Sequence, residues 1–200
     1  MRYKVSSVFF LLSIFLLPAQ SSAAEFHPVV SIGYDSGGDT VLDYTVVKIN
    51  DRTVNRDDKI TAGNGLTLSV GAYMPLLSNI GIQATVGLKI DSATFVDAYI
   101  AFSRNPIDLL AIYHLGEHHS FAGGVTYHSG VNFTLESSTQ NQKINLDDTV
   151  GAIAEYTYAV RDSRDGGLKL GLRYTAINYA EPISNTNTDG SSIGIMLYLY

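Results

Sequence analysis

From about Gly65 to Tyr200 the chain repeats one pattern of apolar and polar positions. Runs of about ten residues carry Leu, Ile, Val or Tyr on one face and Gly, Thr, Ser or a lone charge on the other. The clearest run covers Ile80 to Ile90. Ile80, Ile82, Ala84, Val86, Leu88 and Ile90 share one side, and Gly81, Gln83, Thr85, Gly87 and Lys89 share the other. Side chains alternate across a strand, so each run is a ribbon with one oily face and one small, polar face. A tilted strand of about 9–11 residues crosses the hydrocarbon core of a bilayer.

The pattern predicts eight strands: Phe26 to Asp35, Gly65 to Met74, Ile80 to Ile90, Ile100 to Leu115, Ser120 to Leu135, Asp148 to Val160, Gly167 to Tyr179 and Ser191 to Tyr200. Thr40 to Ile49 alternates well enough to extend a strand beyond the membrane. Arg104-Asn105-Pro106 falls inside the fourth strand, and because proline cannot donate to a ladder it predicts a bulge or local break. Three connections are short, after Met74, Leu115 and Val160. The others, Ser36–Asn64, Asp91–Tyr99, Glu136–Asp147 and Ala180–Gly190, are longer and polar. Outer-membrane barrels have short periplasmic turns and long outer loops. With eight strands both termini fall on the periplasmic side, and the first connection, the longest, lies outside.

The N-terminus predicts an export signal at residues 1–24. Arg2 and Lys4 precede an apolar stretch from Val8 to Leu17, and Ala23-Ala24 offers a small-residue cleavage site. The barrel domain is then 25–200. No later apolar run is long enough for a membrane helix, although 46% of the chain is hydrophobic. The formal net charge is −6, and removal of Arg2 and Lys4 makes it more negative. That excludes nucleic acid as a partner, since phosphate binding needs a basic footprint. With no cysteine there is neither a disulfide nor thiol chemistry.

The signal, the eight alternating strands and the ending Gly194-Ile195-Met196-Leu197-Tyr198-Leu199-Tyr200 resemble the small eight-stranded outer-membrane β-barrel family of Gram-negative bacteria, OmpA membrane domain and OmpX included. The resemblance implies an all-β, antiparallel up-and-down transmembrane barrel located in the outer membrane, surrounded by its lipids and probing the exterior with its loops. It also implies a terminal signal read by the barrel-assembly machinery, matched here by Tyr198 and Tyr200, with Met196 before them.

A soluble, lipocalin-like barrel alternates too, but its polar face meets water and carries many charges. Here that face is Thr67, Ser69, Gly71, Gly81, Thr85, Gly87, Gly124, Thr126, Gly130, Gly151, Thr157, Gly171 and Thr175. Such residues suit the crowded inside of a narrow barrel. Aromatic residues are expected on the oily face in two girdles at headgroup level. Tyr73, Tyr113, Phe121, Tyr158, Tyr198 and Tyr200 are placed at the periplasmic end, and Tyr34, Phe102, Phe133 and Tyr174 at the other.

The inward face also offers Lys89, Asp108, His114, His128, Glu136, Glu155, Lys169 and Arg173. Buried charges need partners. A hairpin centred near Arg164 puts Glu155 opposite Arg173, an ion pair plugging the lumen. A network of Lys89, Glu155, Lys169, Arg173 and His128 is read as structural filling, with an ion gate as the alternative. His114, Glu117, His118 and His119 supply zinc-type donors, but adjacent histidines on a strand diverge, so no metal and no cofactor is assigned. One class of lipid A-modifying barrel uses a His and a Ser two residues apart on one strand. In Tyr127-His128-Ser129-Gly130 the serine follows the histidine directly and points the other way. A second class uses loop His, Asp and Ser, and the outer loops here lack histidine. The expected role is therefore non-enzymatic, as a monomeric structural or surface-interaction barrel whose polar loops meet an extracellular ligand. A small-solute pore and a lipid A-modifying enzyme are the alternatives.

Overall fold

A computed structural model describes residues 26–46, 56–94, 98–137, 141–161, 167–180 and 187–200. The expected leader lies outside the described residues. In chain order the strands are β1 (His27–Gly37), β2 (Thr40–Val46), β3 (Arg56–Thr61), β4 (Gly65–Leu77), β5 (Ile80–Thr94), β6 (Ala98–Leu115), β7 (His119–Ser137), β8 (Asn141–Asn145), β9 (Thr149–Arg161), β10 (Leu168–Ala176), β11 (Asn178–Ala180), β12 (Asn187–Asp189) and β13 (Ser192–Leu199). Eight of them, β1, β4, β5, β6, β7, β9, β10 and β13, form an antiparallel ring, each hydrogen-bonded to its neighbours in the chain-order meander. The ring closes where β1 meets β13, with Ser31 opposite Tyr198 and Tyr34 opposite Ile195. Closure removes every open edge from the wall.

The wall faces the way the alternation requires. Val86 is 53% exposed and Leu170 47%, whereas Gln83 is 1% and Lys169 2% exposed. An oily outside with a polar inside is a surface built for lipid, so this is a transmembrane barrel of the outer-membrane type.

The end opposite the short turns is more ordered than the polar loop composition suggests. β5 continues to Thr94 and β6 starts at Ala98, so most of the expected 91–99 loop is paired strand, with Asp91 opposite Phe102 and Ala93 opposite Ile100. β2 and β3 form a hairpin between β1 and β4, and residues 47–49 of the expected extension lie outside the described residues. β8 adds to the upper part of β7, and β11 pairs with β12. Burial explains this order. Ile60, Ala62, Ile100, Phe102, Val131, Phe133, Ile177 and Tyr179 form one apolar cluster at this end. A second cluster, with Val29, Tyr73, Leu110, Ile112, Ile153, Met196 and Tyr198, fills the short-turn end.

One irregularity changes which way side chains point. The β6–β7 register shifts between Ser103–Asn132 and Asn105–Ser129, so Gly130 and Val131 together oppose Arg104. Gly130 has φ +59°, a left-handed value that glycine adopts without strain. Below this bulge the even residues of β7, such as Thr126 and His128, are buried; above it Val131 and Phe133 are. The flip corrects three placements. Glu136 is exposed and Gly130 lies on the surface, neither in the lumen, while Phe133 is inside and not in a lipid girdle.

Four more aromatic placements need correction. Tyr73, Tyr198 and Phe102 are buried in the lumen, and Tyr200 turns its hydroxyl inward to Gln83. A lumen this narrow still has to be filled, and large rings fill it where glycine opposes them. The Tyr73 ring lies where a Cβ on Gly81 would sit, so this glycine is the space that admits the ring. Tyr113, Phe121, Tyr158, Tyr34 and Tyr174 do face lipid.

Candidate functional site

The lumen is stacked in three layers. In the middle one, Arg173 on β10 projects between β9 and β13. Its Nε donates to Glu155 Oε2 at 2.7 Å, its Nη1 to Asp108 Oδ2 at 2.7 Å and its Nη2 to Tyr198 OH at 2.9 Å. The Tyr198 hydroxyl in turn donates to Glu155 Oε2 at 2.5 Å, and Thr126 Oγ1 donates to Asp108 Oδ1 at 2.6 Å. Arg173 and Glu155 lie directly opposite in the β9–β10 register. Across the lumen Lys89 Nζ meets Asp35 Oδ2 at 3.0 Å, and Thr67 Oγ1 donates to the same oxygen at 3.1 Å. Between the two ion pairs is a space of about 20 Å³, lined in part by Asp35, Lys89, Asp108, His128 and Arg173. That is room for about one water.

The lower layer is aromatic. The Lys169 ammonium sits 4.1 Å from the Tyr200 ring centroid and 5.7 Å from that of Tyr73, within cation–π range. Tyr200 OH donates to Gln83 Oε1 at 2.6 Å. Tyr198 and Tyr200, read as an assembly signal, thus have inward contacts in the folded barrel. The upper layer is the apolar cluster around Phe102 and Tyr179, with His128 Nδ1 2.6 Å from Tyr179 OH. Arg104 lies beneath it, its guanidinium carbon 4.8 Å from the Phe102 ring centroid and its Nη2 donating to Asn64 O at 2.7 Å.

The residues proposed for the lumen network therefore divide. Glu155 and Arg173 pair with each other. Lys89 pairs with Asp35, Lys169 rests on tyrosines, and His128 belongs to the upper layer. Sequence reasoning did not find Asp35, Arg104 or Tyr179 as lumen partners. Asp35 was legible by parity, since it follows Val29, Ser31 and Gly33 on the inward face of β1. Its pairing with Lys89 carries no local signal, because the two lie on strands β1 and β5.

The candidate metal donors separate. His114 is buried, with Nε2 2.8 Å from Tyr73 OH and Nδ1 2.8 Å from Ser120 Oγ. His118 and His119 are exposed at the turn and stack on Tyr158 and Tyr156. Among the described residues no three His, Cys, Asp or Glu side chains converge as a metal group. Ser120, His114 and Tyr73 do form a nucleophile–base–orienter chain in outline. The serine and histidine are buried in the barrel wall's interior, shielded from lipid and water. Ser129 turns away from His128 and its hydroxyl approaches Asn105 O at 3.4 Å.

No family model matches the sequence, and no curated protein matches it. Solved structures share the fold. Ail, the attachment invasion locus protein of Yersinia pestis, solved in complex with the heparin analogue sucrose octasulfate, is 11% identical over 88% of this chain and 99% of its own, with a TM-score of 0.50. Neisserial surface protein A is 10% identical over 87% of this chain and 96% of its own, also with a TM-score of 0.50. The chain has the fold of the small eight-stranded outer-membrane barrels of Gram-negative bacteria.

Proposed function

We propose that this protein is a non-enzymatic, monomeric surface barrel that presents a rigid, acidic platform to partners outside the cell. The supporting observation is the apolar cluster of Ile60, Ala62, Phe102, Val131, Phe133, Ile177 and Tyr179 at the long-loop end. It ties the base of the β2–β3 hairpin to β6 and β7, which stiffens the outer strands and fills the mouth a solute would need. The ion pairs below serve the same end, as filling that holds the wall closed. Closure of β1 on β13 leaves no strand edge in the membrane that needs a second copy.

The rim of the platform carries Asp39, Glu136, Asp147 and Asp148 as exposed carboxylates, with Lys59 and Lys143 as exposed amines. Ail holds a polyanion. An acidic rim instead favours basic partners through complementary potential. Cells expressing the chain are expected to bind a surface coated with a basic peptide better than control cells do, with no gain on immobilised heparin. A gain on heparin alone would overturn the partner assignment. In planar bilayers the purified protein is expected to give no discrete channel openings. Stable openings would make it a pore.

A further inference from the structure

The lipid-facing wall is not uniform. On β7, β9, β10 and β13 it is interrupted by an apolar groove of about 360 Å³, rimmed by Phe121, Tyr156, Leu172, Tyr174 and Ile193 with Ala154 at its floor. That volume is in the range of ligand sites. Gly123 lies beside Ala154 in the β7–β9 register, and a Cβ there would meet nothing closer than Ile153 O at 3.9 Å. Ala111, Gly123 and Ala154 are neighbours in register across β6, β7 and β9, and their small side chains leave a recess in the surface that faces bilayer.

The groove does not end in hydrocarbon. At its short-turn side Phe121 and Tyr156 are in ring contact, and Tyr156 leads to the imidazoles of the β6–β7 turn. His119 stacks on Tyr156 and its Nδ1 is 2.7 Å from the Tyr156 hydroxyl. His118 stacks on Tyr158 and its Nδ1 donates to Ala159 O at 3.2 Å. In both rings Nδ1 is engaged by the protein and Nε2 has no protein partner among the described residues. Glu117, exposed, precedes them.

We propose that this recess and turn form one site for a periplasmic-leaflet phospholipid with an amine-bearing headgroup. The occupant follows from position and charge. The recess opens to the bilayer, so what fills it is an acyl chain, and the short-turn end is the periplasmic side. The headgroup phosphate accepts from the Nε2–H groups of His118 and His119. Glu117 supplies the carboxylate that complements a headgroup ammonium. Stacking on Tyr156 and Tyr158 holds the two rings in place at low entropic cost on binding.

The test is native mass spectrometry of the full chain, extracted with mild detergent from vesicles of phosphatidylethanolamine and phosphatidylglycerol in equal amounts. One retained phosphatidylethanolamine is expected on the unaltered protein. Gly123→Phe, which fills the recess from the lipid side, lowers the retained fraction by about fivefold or more. The His118→Ala/His119→Ala pair lowers it comparably and removes the preference over phosphatidylglycerol. Leu68→Phe on β4, across the barrel from β9, leaves retention unchanged. Heat-modifiable gel migration shows that each variant is folded, and Gly123→Leu replaces Gly123→Phe if that variant is not. Absence of bound lipid on the unaltered protein, equal retention in all variants, or retention of phosphatidylglycerol in preference would overturn the proposal.

Discussion

Arg173 and Arg104 are both enclosed in the lumen, and their surroundings differ in kind. Arg173 donates from Nε, Nη1 and Nη2 to two carboxylates and a phenol. Arg104 is 0% exposed, yet its neighbours are the Asn64 carbonyl, which accepts from Nη2, and the Tyr179 hydroxyl, while its Nε and Nη1 have no partner among the described residues. The difference follows from where each lies on its strand. Arg173 is in regular ladder, where fixed register brings Glu155 opposite it. Arg104 sits at the bulge, opposite two residues of β7 instead of one, and takes a carbonyl and the Phe102 ring in place of a carboxylate. The regular wall builds a satisfied network, and the bulge builds a contact held mainly by packing.

Removing a carboxylate from the satisfied network has the largest expected effect. Glu155→Ala leaves the Arg173 guanidinium with Asp108 as its one carboxylate, and breaking a buried pair this way costs about 3–5 kcal/mol. Urea unfolding of the protein in lipid vesicles measures it. The Glu155→Ala/Arg173→Met/Asp108→Asn triple substitution is expected to be less harmful than the single one, because the arginine and both of its carboxylate partners are then neutralised together. A single-variant loss under about 1 kcal/mol would show that water already serves this arginine.

Phe102→Ala tests the other arrangement. It opens a cavity in the upper cluster and removes the face on which Arg104 rests, so a loss of about 3 kcal/mol is expected in the same assay. Gly130→Ala comes next. The bulge holds Gly130 at φ +59°, where a side chain is strained by roughly 1–2 kcal/mol. The Asp148 carboxylate, which accepts from the Gly130 N–H and from the Tyr127 hydroxyl, anchors the bulge against relaxation. Arg104→Met is expected to change stability by less than about 1 kcal/mol in either direction, since it removes a charge that has little to lose. If Arg104→Met were as costly as Glu155→Ala, the contrast between the two arginines would not hold.

The same contrast separates what the sequence makes legible from what it does not. Alternation alone gives the eight strands and the oily outer wall, and a count back from the β9–β10 turn puts Glu155 opposite Arg173. Three of the misplaced rings were also within reach of parity. Tyr73 is in step with Thr67, Ser69 and Gly71; Phe102 is in step with Asp108 and His114; Tyr198 alternates with Leu197 and Leu199, which face lipid. The expectation that aromatics form girdles overrode a count that already placed them inside. Phe133 and Glu136 are different. Their orientation depends on one inserted residue at Gly130, which the proline at 106 hints at without locating. Asp35 reaches Lys89 over β4, the strand that lies between β1 and β5, where Thr67 donates to the same carboxylate. The Tyr156–His119 contact beneath the lipid groove is likewise a product of register between β7 and β9.

The smallest expected effect lies in the outer hairpins, away from both arginines. The Asp189 carboxyl is held below its ordinary range by the Ser191 side chain and by the Ser191 N–H, which donates to Asp189 Oδ1 at 2.8 Å. Its backbone also joins β12 to the β1–β2 connection, since Asp39 N donates to Asp189 O at 2.7 Å and Asp189 N to Asp39 Oδ2 at 2.9 Å. A carboxyl with a lowered folded pKa contributes stability above its ordinary value and loses it as pH falls through the folded one. The β11–β12 hairpin should therefore loosen in acid, below the ordinary carboxylate range, while the ladder around Arg173 stays closed. Amide hydrogen exchange on a pH series resolves this: faster exchange at Ser191 and Asp189 is expected, with the β9–β10 amides unchanged once the intrinsic pH dependence is removed. Asp189→Asn should abolish the pH dependence of that difference. If both regions loosened together, the rim would be cooperative with the wall and could not serve as a separately tuned surface.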